Sequence, residues 1–425
     1  MRRGLVLGLC LCCGISARGV RAQQLPGPVS GPPQPLEVRE GWLKAQDLFQ
    51  LPPWLELGLE FNAEPMLNPS GGAAQQGNWI QQTTATVALG SGLGKPSQGW
   101  SEADHWRLDL TLNHYSGNPD YNLAIGALFP LQEAAFPPGF WLSEVSVGRQ
   151  AGEGWFGVKG GIVPLNPEFV AAPILDFYVH SALNNTLNIT LNDLPISPFA
   201  AAGGIVTLQP AADVELRYGL FNLDSVTPLA QWMGVTTGVQ ANNGWAQMLQ
   251  VSYSPAWLAP NPATPLQRAG RSVQRRLPGG LIQFGGYRAP EEGSGVYGTV
   301  SWGMPTPLGL DTRLWLGGHV SADPGDGTGT GDLSPQFIGG GLVSQGLLPG
   351  RPLDLFILGL GRSGINGGST GLPDNSYEGV IELGYQWQFN QSLAVQPTLQ
   401  WIVNPGGAGQ LPGILAAGMK ISLSF

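Results

Sequence analysis

The sequence predicts an all-β chain, a transmembrane antiparallel β-barrel of about sixteen strands with long loops folded into its lumen. Three observations predict it. Apolar and polar side chains alternate with a period of two through segments of about nine to thirteen residues. That is the length a tilted strand needs to cross a bilayer, where soluble sandwiches use about five or six. The polar face of these segments is charged in mid-strand, at Arg107, Asp109, Lys159, Glu215, Arg217 and Glu382, which suits a water-filled interior. Helices are disfavoured throughout, because 64 Gly and 37 Pro make up about a quarter of the 425 residues. No apolar run after the start reaches the ~18 residues of a membrane helix. Fourteen Trp, fifteen Phe and nine Tyr exclude a chain that stays unfolded.

The elements follow in order. Arg2 and Arg3 open residues 1–22, Gly4 to Ile15 form a short apolar core, and Val20-Arg21-Ala22 ends in small or apolar residues. This reads as an export signal cleaved after Ala22. All three cysteines (Cys10, Cys12, Cys13) fall inside it, so the expected mature chain has no disulfide and no thiolate metal site. Cleavage removes four Arg and leaves 16 basic against 29 acidic residues, a net −13 that excludes a nucleic-acid binder. Residues 23–53 are a Pro-rich, extended periplasmic segment, and 54–425 form the barrel domain. Strands are expected to start near 54, 79, 105, 140, 155, 203, 214, 245, 281, 295, 312, 336, 354, 377, 393 and 413. Leu55, Leu57, Leu59 and Phe61 against Glu56, Gly58, Glu60 and Asn62 illustrate the alternation, and Leu415 to Phe425 closes it. An even count returns both barrel ends to one side. Connections after odd strands are long and those after even strands short, the asymmetry of outer loops and periplasmic turns. The connection 254–280 breaks the rule: it is either a missed hairpin or a periplasmic excursion.

Several stretches resemble the carbohydrate-selective outer-membrane porins of the OprB type. Trp54 to Phe61 leads into Asn68-Pro69-Ser70-Gly71-Gly72, like the family's first strand and its Ser-Gly-Gly loop. Gly341-Leu342 to Gly346, Leu348-Pro349-Gly350-Arg351-Pro352 and Asp354 look like its turn between two late strands. Glu378, Glu382 and Tyr385, then Val395-Gln396-Pro397, Gln400-Trp401-Ile402 and Asn404-Pro405-Gly406-Gly407, are similar to its penultimate strands, and Phe425 to its end. Weaker similarity spreads over most of 40–425. Two departures stand out: the family's Gly-Asp-Trp-Gly-Gly opening is reduced to Glu40-Gly41-Trp42, and the Arg-rich stretch at 268–276 has no match.

The resemblance implies an outer-membrane porin passing small hydrophilic solutes, sugars above all, by diffusion, with no catalytic residue and no cofactor. Strand parity then proposes Arg107, Asp109, Lys159, Glu215, Arg217, Glu378 and Glu382 as pore-lining wall residues. Glu56, Glu60, Arg313, Trp315, His319, Gln386, Gln396 and Lys420 also point inward by parity. A sixteen-stranded barrel leaves a wide channel, so something must fold inward to narrow it. The apolar-rich connections 115–139 and 164–202 are expected to do so, presenting Asp120, Glu133, Asp176, His180 and Asn184 to the channel. Outward Trp106, Trp141, Tyr218, Tyr253, Trp387 and Trp401 read as interfacial girdle. Expected partners are solutes and outer-membrane lipid, with homotrimer and monomer both open. A net −13 keeps a general or cation-preferring porin as the alternative. A barrel-embedded hydrolase needs a Ser/His or Asp/His pair on a strand rim, and none has suitable spacing.

Other motifs carry little. Gly90 to Lys95 lacks a phosphate loop's first Gly and runs into Pro96. Asp323 to Asp332 is a single acidic run rather than a repeated Ca²⁺ motif. Two Asn-x-Thr sequons at 184–190 indicate a polar loop, and four scattered His lack zinc spacing. Arg268, Arg271, Arg275 and Arg276 read as a solvated loop, with lipid phosphate as the other reading.

Overall fold

The computed structural model describes residues 51–91, 105–151, 155–184, 187–188, 194–235, 243–268, 271–289, 293–306, 309–322, 334–373 and 376–425. The expected signal, nearly all of the Pro-rich segment, residues 92–95, the acidic run 323–332 and four of the sequon residues lie outside them.

The first half of the barrel is built from β1 (Leu55–Ser70), β2 (Gly77–Gly90), β3 (His105–Gly117), β4 (Gly139–Ala151), β5 (Phe156–Val163), β6 (Ala201–Ala211), β7 (Val214–Asn222) and β8 (Trp245–Tyr253). Two short strands, β9 (Leu266–Arg268) and β10 (Arg271–Val273), pair only with each other. The second half comprises β11 (Leu281–Ala289), β12 (Gly293–Met304), β13 (Asp311–Ser321), β14 (Gln336–Gln345), β15 (Leu355–Gly364), β16 (Tyr377–Gln388), β17 (Leu393–Val403) and β18 (Ile414–Ser424). The barrel closes antiparallel through β1 and β18, with Glu60 opposite Ser424, and Phe425 N–H donates to the Leu59 carbonyl at 2.9 Å. Closure is required because an open edge in lipid would strand N–H and C=O groups, at several kcal/mol each.

All sixteen barrel strands start within two residues of the positions read from periodicity. The long 254–280 connection is an excursion holding β9 and β10, and no barrel hairpin was missed.

Outward positions carry the lipid band, among them Phe140, Val147, Leu249, Phe284, Ile338 and Leu360, with Trp106, Trp387 and Trp401 near strand ends. One girdle assignment is corrected. Trp141 is buried inside the barrel, stacked edge-on against Phe199 with centroids 5.0 Å apart, and its indole N–H donates to the Pro137 carbonyl. The cause is a bulge in the β3–β4 pairing between Thr111 and Leu112, which shifts the parity of β4 by one residue.

The apolar core sits in the lumen. Ile125, Leu131, Phe169, Ile174, Leu175, Tyr178 and Leu183, from the two long outer connections, pack on inward Met248, Tyr297, Trp315, Ile357 and Ile402 of the wall. Burial of each such side chain contributes about 1.5–3 kcal/mol, enough to hold both loops inside. Inward glycines make the seats: a Cβ at Gly341 would lie 2.4 Å from the Tyr178 hydroxyl, and one at Gly359 2.5 Å from its ring.

Candidate solute passage

The loops cover one side of the inner wall, and polar hooks on the wall fasten them. On β16 the Glu378 carboxylate accepts the N–H groups of Leu128, Phe129 and Gly406. One turn lower in the barrel, Glu382 accepts Val179 N–H at 2.9 Å and His180 N–H at 2.7 Å, and Gln400 donates to it at 3.2 Å. Gln400 also reaches the Leu131 carbonyl, Gln250 holds Val170 N–H, and Gln283 holds the Ala171 carbonyl. Trp315 donates to the Tyr178 hydroxyl at 2.7 Å, and that hydroxyl donates to the Leu358 carbonyl. His319 is spanned by the carbonyls of Leu187 and Ser334. Most of these hooks answer loop backbone groups that water can no longer reach, as a folded-in loop demands.

The pore-lining candidates therefore separate into two groups. Glu378, Glu382 and His180 are almost wholly buried, at 1, 0 and 1% exposure, beneath the loops. Burial pushes the His180 imidazole down to about 3, so it is neutral at ordinary pH. Asn184 is buried as well, while Asp120 and Asp176, the latter on a short 3₁₀ turn at Leu175–Phe177, are exposed. Of the other candidates, Arg107 and Asp109 on β3 and Lys159 on β5 keep partial exposure, whereas Glu215 and Arg217 on β7 are buried where the second loop crosses, with Phe169 against Phe221 and Arg217 donating to the Glu168 carbonyl.

There the wall carries a charge ribbon. Lys159 on β5 sits between Glu144 of β4, at 2.5 Å, and Glu168 of the second loop, at 2.7 Å. Glu168 continues to Arg217 on β7 at 3.2 Å, and Arg217 pairs with Glu215 at 2.8 Å. Burial alone would raise the Glu168 carboxyl, but Lys159 and Arg217 outweigh it and hold the group below its usual range. Arg107 and Asp109 form a separate pair at 2.6 Å on β3, both partly exposed. A third centre joins Lys420 of β18 to Glu133 of the first loop, beside Glu64, whose carboxylate accepts Ala134 N–H. Polar Gln82, Thr84 and Asn113 fill the wall between, linked through their side chains.

Glu144 and Glu168 escaped the sequence reading. Glu144 lies on the inward parity set by outward Val145 and Val147 but is passed over beside the misassigned Trp141, and Glu168 sits in a loop where no periodicity marks a direction. Among the described residues no cluster of His, Cys, Asp and Glu is arranged to hold a metal ion. A shallow apolar dent of about 560 Å³, lined by Gly204, Val206, Tyr218, Leu220 and Trp245, lies on the outer face and forms no part of the passage.

The model of a family described as carbohydrate-selective porin, OprB family, matches residues 98–425. The high-pH structure of Pseudomonas putida OprB is 17% identical, with a TM-score of 0.70 over 90% of this chain and 96% of that one. The low-pH structure of the same porin is 16% identical, with a TM-score of 0.55 over 91% of this chain and 99% of that one. At such identities these likenesses speak for the fold. No curated protein matches the chain by sequence.

Proposed function

We propose that sugars cross the barrel of this chain, which belongs to the carbohydrate-selective porin family, OprB type, past the partly exposed charges of β3 and β5. The protein is an outer-membrane porin for carbohydrates, and such porins are channels rather than enzymes. Export by the Arg2–Ala22 signal belongs to the same proposal.

One observation carries the path: Arg107, Asp109 and Lys159 keep partial exposure on the inner wall of β3 and β5, whereas Glu378 and Glu382 of β16 are buried beneath the loops. A sugar ring offers several hydroxyls that both donate and accept. Lys159 with Glu144 and Glu168, Arg107 with Asp109, and Lys420 with Glu133 present donors and acceptors side by side. Paired charges keep this surface polar without a strong field of one sign, so a neutral solute can exchange partners along it.

The test is reconstitution in planar bilayers with sugar titrated against ion current. Lys159→Ala should weaken sugar block by up to about tenfold, the value of one hydrogen bond to a charged group in a wet site. Block equal to wild type for Lys159→Ala and Asp109→Ala together would place the path elsewhere. The second reading, a general or cation-preferring porin, is favoured by the acids Asp109, Glu133, Glu144, Glu168 and Glu215, which outnumber the bases Arg107, Lys159, Arg217 and Lys420. Strong cation selectivity with no sugar block would support that reading.

A further inference from the structure

We propose that segment 254–280 is a second constriction at the short-turn end of the barrel, one that selects solutes by size independently of the outer loops. The inference rests on the porin reading.

An even-to-odd connection in a barrel of this kind needs only a tight periplasmic turn, as 212–213 supplies between β6 and β7. Segment 254–280 instead turns back inside. Backbone groups and inward-facing side chains of four wall strands and one turn hold it. Gly303 N–H on β12 donates to the Leu258 carbonyl at 2.9 Å. Arg313 on β13, fully buried, donates to the carbonyls of Pro278 at 2.7 Å and Pro260 at 3.2 Å. Asp311 pairs with both Arg275 and Arg313, at 2.7 and 2.5 Å. Gln345 on β14, also fully buried, accepts Arg276 N–H and donates to the Gln274 carbonyl. The Arg276 guanidinium reaches the Leu353 carbonyl at 2.6 Å and Gln386 of β16 at 2.5 Å. Leu266 and Val273 of the β9–β10 hairpin pack on Leu353, and Leu277, wholly buried, joins the luminal core. A loop hanging in solvent has no use for so many buried polar partners.

The position matters more than the contacts. The segment lies over β12–β16, a stretch of wall that the outer loops also reach from the other end. The two meet through the wall: Arg276 donates to Gln386, Gln386 to Gln396 at 3.1 Å, and Gln396 to the Phe177 carbonyl of the outer loop at 2.8 Å. Outer loops and floor are thus linked along the barrel interior, and the proposed passage runs past the partly exposed charges of β3 and β5. Two narrow zones in series each contribute resistance. Removing the lower one should raise conductance by up to about twofold if they contribute comparably.

Three arms test this in planar bilayers. Replacing 255–279 by a short Gly-Asn turn should raise single-channel conductance. It should also let larger polyethylene glycols enter from the short-turn side, with the size limit from the loop side unchanged. The Ala259→Cys/Gly303→Cys pair reads placement without a deletion, since a Cβ at Gly303 would lie 3.4 Å from the Ala259 Cβ, near disulfide spacing. It should oxidise in the folded barrel with conductance as in wild type. Failure to cross-link, or conductance and short-turn-side size limit both unchanged on shortening, overturns the proposal. Wild type is the third arm: if it forms no channel, the porin reading itself fails, a result distinct from either of these.

Discussion

Glu382 is the hook on which the second loop hangs, and its removal has a calculable cost. In Glu382→Ala the N–H groups of Val179 and His180 lose their acceptor in a site with no exposure to water. Each buried donor left unmet costs about 1–3 kcal/mol, hence about 2–6 kcal/mol for the pair. The ladders of β16 to β15 and β17 do not involve the side chain, so the barrel should still assemble. Tyr178, held by Trp315 and its seat at Gly341 and Gly359, should keep the loop inside the lumen. The result is local loosening rather than expulsion. Amide exchange at 179 and 180 should accelerate at least about thirtyfold, because every 1.4 kcal/mol is a factor of ten. Open-channel current should become noisier. Glu382→Gln retains one acceptor oxygen and should fall between wild type and Ala. Unchanged exchange at 179–180 in Glu382→Ala, or equal effects of Ala and Gln, would refute the assignment of this carboxylate as the loop's anchor.

Four further outcomes follow from named contacts. Asp109→Lys places a second cation beside Arg107 on the open wall, and the reversal potential in a salt gradient should move toward anions by a few-fold in permeability ratio. Gly341→Val drives a side chain into the Tyr178 hydroxyl, and overpacking of about 1–3 kcal/mol should lower the yield of heat-resistant folded barrel on gels. Deleting Phe425 removes the closing backbone bonds to Leu59, and Phe425→Asp puts a charge on the face that the terminal alternation turns outward; both should reduce surface abundance, measured by whole-cell labelling. His180 has a lowered imidazole pKa, so its contribution to stability is complete above the ordinary value of about 6.5 and is lost as pH falls toward about 3. Channel noise should therefore grow from pH 6 to pH 4, at about 1.4 kcal/mol of loop stability per unit, and the step should vanish in His180→Gln.

The barrel was legible because its governing constraint is local and repetitive. A strand between lipid and lumen writes its two faces into alternate residues, so Leu216, Tyr218 and Leu220 against Glu215 and Arg217 announce both a strand and its orientation. The inward folding of 164–200 was legible for a related reason. Phe169, Ile174, Leu175 and Tyr178 in one connection are too apolar for water, and a barrel wide enough to admit them is the nearest place to bury them. Parity failed at β4, where one inserted residue reverses every side chain beyond it, and nothing in Phe140-Trp141-Leu142-Ser143-Glu144 marks the bulge.

Parity also cannot say what an inward residue meets once it points inward. Glu382 and Lys159 both lie in mid-strand on the polar face, and both qualify equally as channel lining. Their fates differ because of the loop that lies above them. Over Glu382 the loop offers backbone N–H groups, and the carboxylate is consumed in fastening them. Over Lys159 the same loop offers a carboxylate, Glu168, and the pair keeps partial exposure. The same loop therefore buries a carboxylate on β16 and adds one beside β5. The inward glycines, Gly341 and Gly359 among them, are the sequence trace of the covered wall, since a strand that met only water would have no need to omit side chains there. Gly219 on β7 carries the same signature, since a Cβ there would lie 2.7 Å from the Phe169 ring, so glycine follows the second loop onto the charged side as well.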